Sequence, residues 1–239
     1  LAREGDTVFS QPRELNYPDL VRQLGSIQAT VVFLDFGQAE SFSGAGGLED
    51  FQKALRERIA EFSRIPCRIV LLTPIPISGP NPAPRVAEYA EAVRLVAKET
   101  SLPLLDYHAA APRRAPFPKE GRILTPDEQG SLNTEVFQGL FPTLRPSTCG
   151  SDGHFLDPDW ERLRSIILAR NQLWKRWIRP TNWAFLGGDR TEQPSSRDHR
   201  NPAIRWFPAE MEEFPPLILE ADRAIDQAAA RLSSVGIAP

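Results

Sequence analysis

An α/β fold on a parallel sheet, with helices on both faces, is the class this sequence predicts. Three observations predict it. Thr30-Val31-Val32-Phe33-Leu34-Asp35-Phe36 is an apolar run rich in β-branched and aromatic residues, suited to a strand buried on both faces. Arg68 to Thr73 and Leu102 to Tyr107 are further apolar runs of strand length. Between the three runs lie segments with apolar residues at helical spacing, so strand and helix alternate and the crossovers are right-handed.

Each element has its own reason. The first run ends at Gly37, a residue that lets the backbone turn tightly and approach a ligand, and the polar Gln38 and Glu40 follow. In open α/β sheets ligands bind at this carboxyl end of the strands. Leu48, Phe51, Leu55, Ile59 and Phe62 predict an amphipathic helix over about 47–63. Pro74 and Pro76 end the second strand, and the proline-rich stretch from Ile75 to Pro84 reads as a loop at the sheet's ligand-bearing edge. Val86, Tyr89, Val93 and Val96 mark the next helix. From Ala109 to Gly150 prolines and glycines break the pattern, predicting loops and short added elements. Asp159 to Ile178 reads as a long helix: acidic residues favour its start, Lys175, Arg176 and Arg179 its end, and Pro180 stops it. A closing helix is expected around Leu217 to Leu232. The organisation predicted is a domain over 1–178 and a C-terminal helical extension over 179–239, whose tryptophans pack on the domain.

Composition narrows the function. With 239 residues and a formal net charge of -3, the chain is long enough for a sizeable core and has no basic field to attract nucleic acid. No apolar run is long enough to span a bilayer. Cys67 and Cys149 are too few for a disulfide scaffold, and the three histidines, His108, His154 and His199, lack metal-ligand spacing. Gly44, Gly46 and Gly47 form neither a dinucleotide fingerprint nor a P-loop.

Gly5-Asp6-Thr7, the following Asn16-Tyr17-Pro18-Asp19-Leu20-Val21-Arg22-Gln23-Leu24 and a strand ending Gly37-Gln38-Ala39-Glu40 resemble the second and third sequence blocks of the SGNH (GDSL-type) hydrolases, a family of serine esterases. In that family the strand ends in Gly-x-Asn-Asp/Glu. Asp152-Gly153-His154, before the long helix, resembles the fifth block, Asp-x-x-His, with one residue fewer between its ends. The resemblance runs from about Gly5 to Trp160. It implies a three-layer α/β/α, flavodoxin-like fold, no cofactor, and hydrolysis of oxygen esters in a small-molecule or carbohydrate substrate. The C-terminal tail resembles an extension found in one bacterial branch of the family.

The resemblance also implies site residues. His154 is the candidate base and Asp152 its orienting carboxylate. Gly5 supplies a backbone donor to an oxyanion hole, with Gly37 and Gln38 at its rim. Gly37 also reads as a required turn, and Gln38 points away from Ala39, which stands where the family has asparagine. The nucleophile of such an enzyme is the serine of a Gly-Asp-Ser block, which the 239 residues do not contain; Thr7 follows too few residues for the strand that delivers it. The chain is therefore expected to begin at the second block and to be impaired as a catalyst. Two rivals stand beside this reading: a non-catalytic relative that binds glycan or protein through the same cleft, and an unrelated flavodoxin-like ligand-binding domain. His108, after the third run, either lines the cleft or is packed.

Overall fold

The computed structural model of the chain describes residues 1–3, 5–75, 85–110 and 154–234. They belong to two compact units, one of residues 1–12 and 19–146, the other of 13–18 and 147–239. The division falls after 146, whereas the sequence reading placed it at 178. Cys149, Asp152 and most of the irregular stretch 109–150 lie outside the described residues, as do 76–84 of the proline-rich loop.

The first unit is α/β. Its elements are α1 (Leu20–Ser26), β1 (Val31–Asp35), α2 (Leu48–Phe62), β2 (Arg68–Leu72), α3 (Val86–Thr100), β3 (Leu104–Leu105) and the short α4 (Tyr107–Ala110). The strands form a parallel sheet in the order β1-β2-β3. Register places Val32 against Ile69 and Leu34 against Leu71, so these four side chains share a face. On that face they pack with Phe51, Leu55, Ile59 and Phe62 of α2, Tyr89, Val93 and Val96 of α3, and Leu24 of α1. The apolar spacing read from the sequence is thus the core-facing stripe of each helix. Phe51 and Tyr89 meet edge to face with centroids 5.0 Å apart. Burying one such large side chain stabilises by about 1.5–3 kcal/mol. The opposite face carries Val70 and Leu72, buried with Tyr107 and flanked by Ile75 and Leu105, so β2 is covered on both sides. By contrast β1 at the sheet edge, expected to be buried on both faces, exposes Val31 and Phe33 and is buried on one face alone.

The third strand is shorter than its apolar run suggests. Asp106 ends it by capping α4: its Oδ1 accepts the N–H of Ala109 at 3.0 Å.

The second unit is helical in its described residues. It holds α5 (Pro158–Ile178), α6 (Trp183–Leu186), α7 (Trp206–Glu212) and α8 (Phe214–Ser234). Helix α5 starts one residue before the expected Asp159, because Asp157 is its N-cap and Pro158 suits the first turn. α5 packs along α8, where Arg170 and Asp222 pair at 2.8 Å and Leu163 and Ile218 are buried. Residues 13–18 belong here: the Trp183 indole donates to the Leu15 carbonyl at 2.8 Å, and its ring meets Tyr17 edge to face at 4.6 Å. Among the described residues, no helix is long and apolar enough to cross a membrane.

Candidate active site

Within the first unit, the polar groups gather at the carboxyl ends of the strands. β1 runs out into Gly37, whose φ of +114° favours glycine. A Cβ there would lie 3.1 Å from Pro74 Cγ and 3.4 Å from Phe51 Cζ, so the turn is closed on its inner side as well. The Gly37 N–H donates to Glu40 Oε2 at 2.8 Å, and the Val8 N–H donates to Glu40 Oε1 at 2.5 Å. Glu40 is only 4% exposed. Its carboxylate, the fourth residue of Gly37-Gln38-Ala39-Glu40, therefore ties the opening segment to the mouth of β1. Val8 is itself fully buried, and its carbonyl accepts from Arg58 Nε at 3.1 Å. The sequence reading passed over Glu40; the signal was the acidic residue closing the third block.

The residues around this clamp take different parts. The Gly37 N–H is engaged by Glu40, so Gly37 serves as the turn. Gln38 is exposed, and its Nε2 donates to the Ile75 carbonyl at 3.2 Å, joining the β1 turn to the loop after β2. Ala39 is an exposed methyl. Gly5 is exposed with a φ of +86°, and no heavy atom lies within 4 Å of where its Cβ would be. The Thr7 hydroxyl lies in a local turn: it donates to the Ser10 carbonyl at 3.3 Å and accepts the Ser10 N–H at 3.1 Å. Asp35, the last residue of β1, opens to solvent above a crowded sheet end. That crowding first, and the charge of Glu40 second, push its carboxyl up to about 6.

A second network joins the ends of β2 and β3. Arg94 grips Asp106 with two hydrogen bonds, Nε to Oδ2 at 2.8 Å and Nη2 to Oδ1 at 3.0 Å. The hydroxyl of the buried Thr73 donates to Asp106 Oδ1 at 2.9 Å and accepts the His108 N–H at 2.9 Å. Partial burial works to raise the Asp106 carboxyl, but the hydrogen bonds from Arg94, Ala109 and Thr73 outweigh it and hold it down to about 2. His108, half-buried on α4, is pushed below its ordinary value by burial and then by Arg94, with Asp106 opposing.

In the second unit, His154 lies just ahead of α5 with its side chain 54% exposed. Its Nδ1 is 2.7 Å from Glu161 Oε1. Glu161 Oε2 accepts the Phe155 N–H at 3.0 Å, and Arg164 donates to both oxygens at 2.8 Å. Those guanidinium bonds first, and the His154 contact second, hold the Glu161 carboxyl well below the usual carboxylate range. The structure thus brings the opening segment and the β1 turn together in one unit and describes His154 in the other.

The sequence matches no protein-family model and no curated protein. Solved structures give partial likenesses. A peptidoglycan O-acetylesterase is similar over 50% of this chain and 38% of its own, at 15% identity and a TM-score of 0.42. The acetylxylan esterase Axe2 from Geobacillus stearothermophilus is similar over 52% of this chain and 68% of its own, at 17% identity and a TM-score of 0.40. The chain spans little more than a third of the first enzyme's length.

Proposed function

We propose that this chain follows the SGNH/GDSL-type esterase plan and acts on oxygen esters, acyl or acetyl groups carried by carbohydrate or lipid. The observation that carries the reading is the Glu40 clamp. An esterase of this plan needs its second and third blocks side by side at the carboxyl end of the sheet. One buried carboxylate binds the N–H of Val8, three residues after Gly5, and the N–H of Gly37. In this reading the Gly5 N–H faces the charge that develops on the carbonyl oxygen, and Gln38 lines the rim. His154 takes the proton of the attacking hydroxyl and returns it to the leaving alcohol.

The 239 residues contain no Gly-Asp-Ser segment, so the chain alone is expected to turn over poorly. Without its serine a triad enzyme loses about 10⁶ in turnover. The test is p-nitrophenyl acetate hydrolysis by this chain and by the product of the full gene. The chain should stay near the buffer rate. If the full product carries a Gly-Asp-Ser segment after an apolar strand, it should lose at least about 10³ in kcat on His154→Ala. A full product without the segment and without turnover would sink the esterase reading. It would favour the second reading, a relative that binds glycan or protein through the same cleft. Two observations favour that alternative: Ala39 offers no donor, and the Gln38 amide is engaged by Ile75.

A further inference from the structure

The carboxylate expected beside His154 was Asp152, on the loop before it. The geometry points to a different residue. Glu161 is seven positions after His154, one turn into α5, and its carboxylate is locked from two directions. The Phe155 N–H and Arg164 Nε both bind Oε2, at 3.0 and 2.8 Å, which sets the carboxylate plane. Arg164 Nη2 binds Oε1 at 2.8 Å and leaves that oxygen 2.7 Å from His154 Nδ1. Arg164 Nη2 also lies 2.9 Å from Nδ1, so the three atoms form a tight triangle.

The placement of one proton follows. A proton on Nδ1 donates to an ionised oxygen, and the crowding by Nη2 is a contact between two donors sharing one acceptor. With the proton on Nε2 instead, Nδ1 would accept from Arg164 Nη2 at 2.9 Å, but its lone pair would face the charged Glu161 oxygen at the shorter 2.7 Å. The first arrangement is favoured. It puts the imidazole lone pair on Nε2, the tautomer a general base requires.

We infer that Glu161 is the positioning residue for His154, in place of Asp152, and that Arg164 holds Glu161 rigid for that purpose. The role of His154 as base rests on the esterase reading; the assignment of its tautomer does not. Glu161 reaches His154 from the first turn of α5, whereas Asp152 lies outside the described residues.

The experiment is ¹⁵N NMR of the histidine side chains in the full chain, above the pH where they titrate. His154 should show a protonated Nδ1 and an unprotonated Nε2. Glu161→Gln should move it toward the Nε2-protonated form, and Arg164→Gln, which leaves the carboxylate but frees it, should move it part of the way. Asp152→Asn should leave it unchanged. An unchanged tautomer in both Glu161→Gln and Arg164→Gln, or a switch produced by Asp152→Asn alone, overturns the inference. In the full gene product Glu161→Gln should lower kcat by about 10³–10⁴ with little change in KM, the loss typical when the base adopts the wrong tautomer. If that product proves inactive while the tautomer still follows Glu161, the esterase reading fails and the positioning role stands.

Discussion

Glu40 offers the most direct perturbation of the proposed frame. Its buried carboxylate accepts two backbone donors, Val8 N–H at 2.5 Å and Gly37 N–H at 2.8 Å, that come from segments far apart in the chain. A hydrogen bond to a charged group contributes about 1.5–3 kcal/mol, and a buried donor left without an acceptor costs about 1–3 kcal/mol. Glu40→Gln keeps one acceptor oxygen but turns an NH₂ group toward the other N–H, so it should cost about 2–4 kcal/mol. Glu40→Ala strands both donors and should cost about 3–6 kcal/mol, a large share of the ~5–15 kcal/mol typical of a domain. Glu40→Met fills the space without an acceptor and should resemble alanine, which separates the lost bonds from a lost volume. Urea midpoints at constant m report the stability, and amide exchange at Val8 and Gly37 reports the clamp directly. A Glu40→Ala protein within about 0.5 kcal/mol of the parent, with both amides still protected, would refute the idea that this carboxylate holds the opening segment to the sheet.

Two further expectations come from the same unit. Asp106 has a folded value of about 2 against an ordinary 3.8, so its contribution is complete above about pH 4 and is lost as the pH falls toward 2. Asp106→Asn should cost about 1–2 kcal/mol at pH 7, allowing for solvent screening of the pair, and little at pH 2, read from urea midpoints across pH. Gly37→Ala forces a side chain into a φ of +114° and against Pro74, whereas Gly5→Ala meets only the backbone penalty at +86°. The first should lower stability by about 1–3 kcal/mol and the second by about 1 kcal/mol, visible as unequal shifts in thermal unfolding.

Much of the first unit was legible because its signals are local. The runs at Val31–Asp35 and Arg68–Leu72 form strands, and Leu48, Phe51, Leu55, Ile59 and Phe62 mark one helix stripe, since periodicity in the chain becomes a buried face directly. The third strand was read too long because its apolar composition continues to Tyr107, while Asp106 is claimed by Arg94 and Thr73 from two other elements. Glu161 was read as a charge favouring the start of a helix; its reach back to His154 depends on where the N-cap Asp157 sets that start. Tyr17 stands in the chain just ahead of α1, but it packs on Trp183 within the second unit, a pairing no short-range pattern encodes.

The sequence by itself determined the class of the fold, the order of strand and helix, and a turn at Gly37, because alternation of apolar residues and backbone freedom are properties of neighbours. Only the tertiary structure decided which carboxylates do what. Glu40 was given its role by Val8, 32 residues away, Asp106 by Arg94 and Thr73, and Glu161 by a histidine outside its helix. A carboxylate's task is set by the donors that fold against it, and those arrive from elsewhere in the chain.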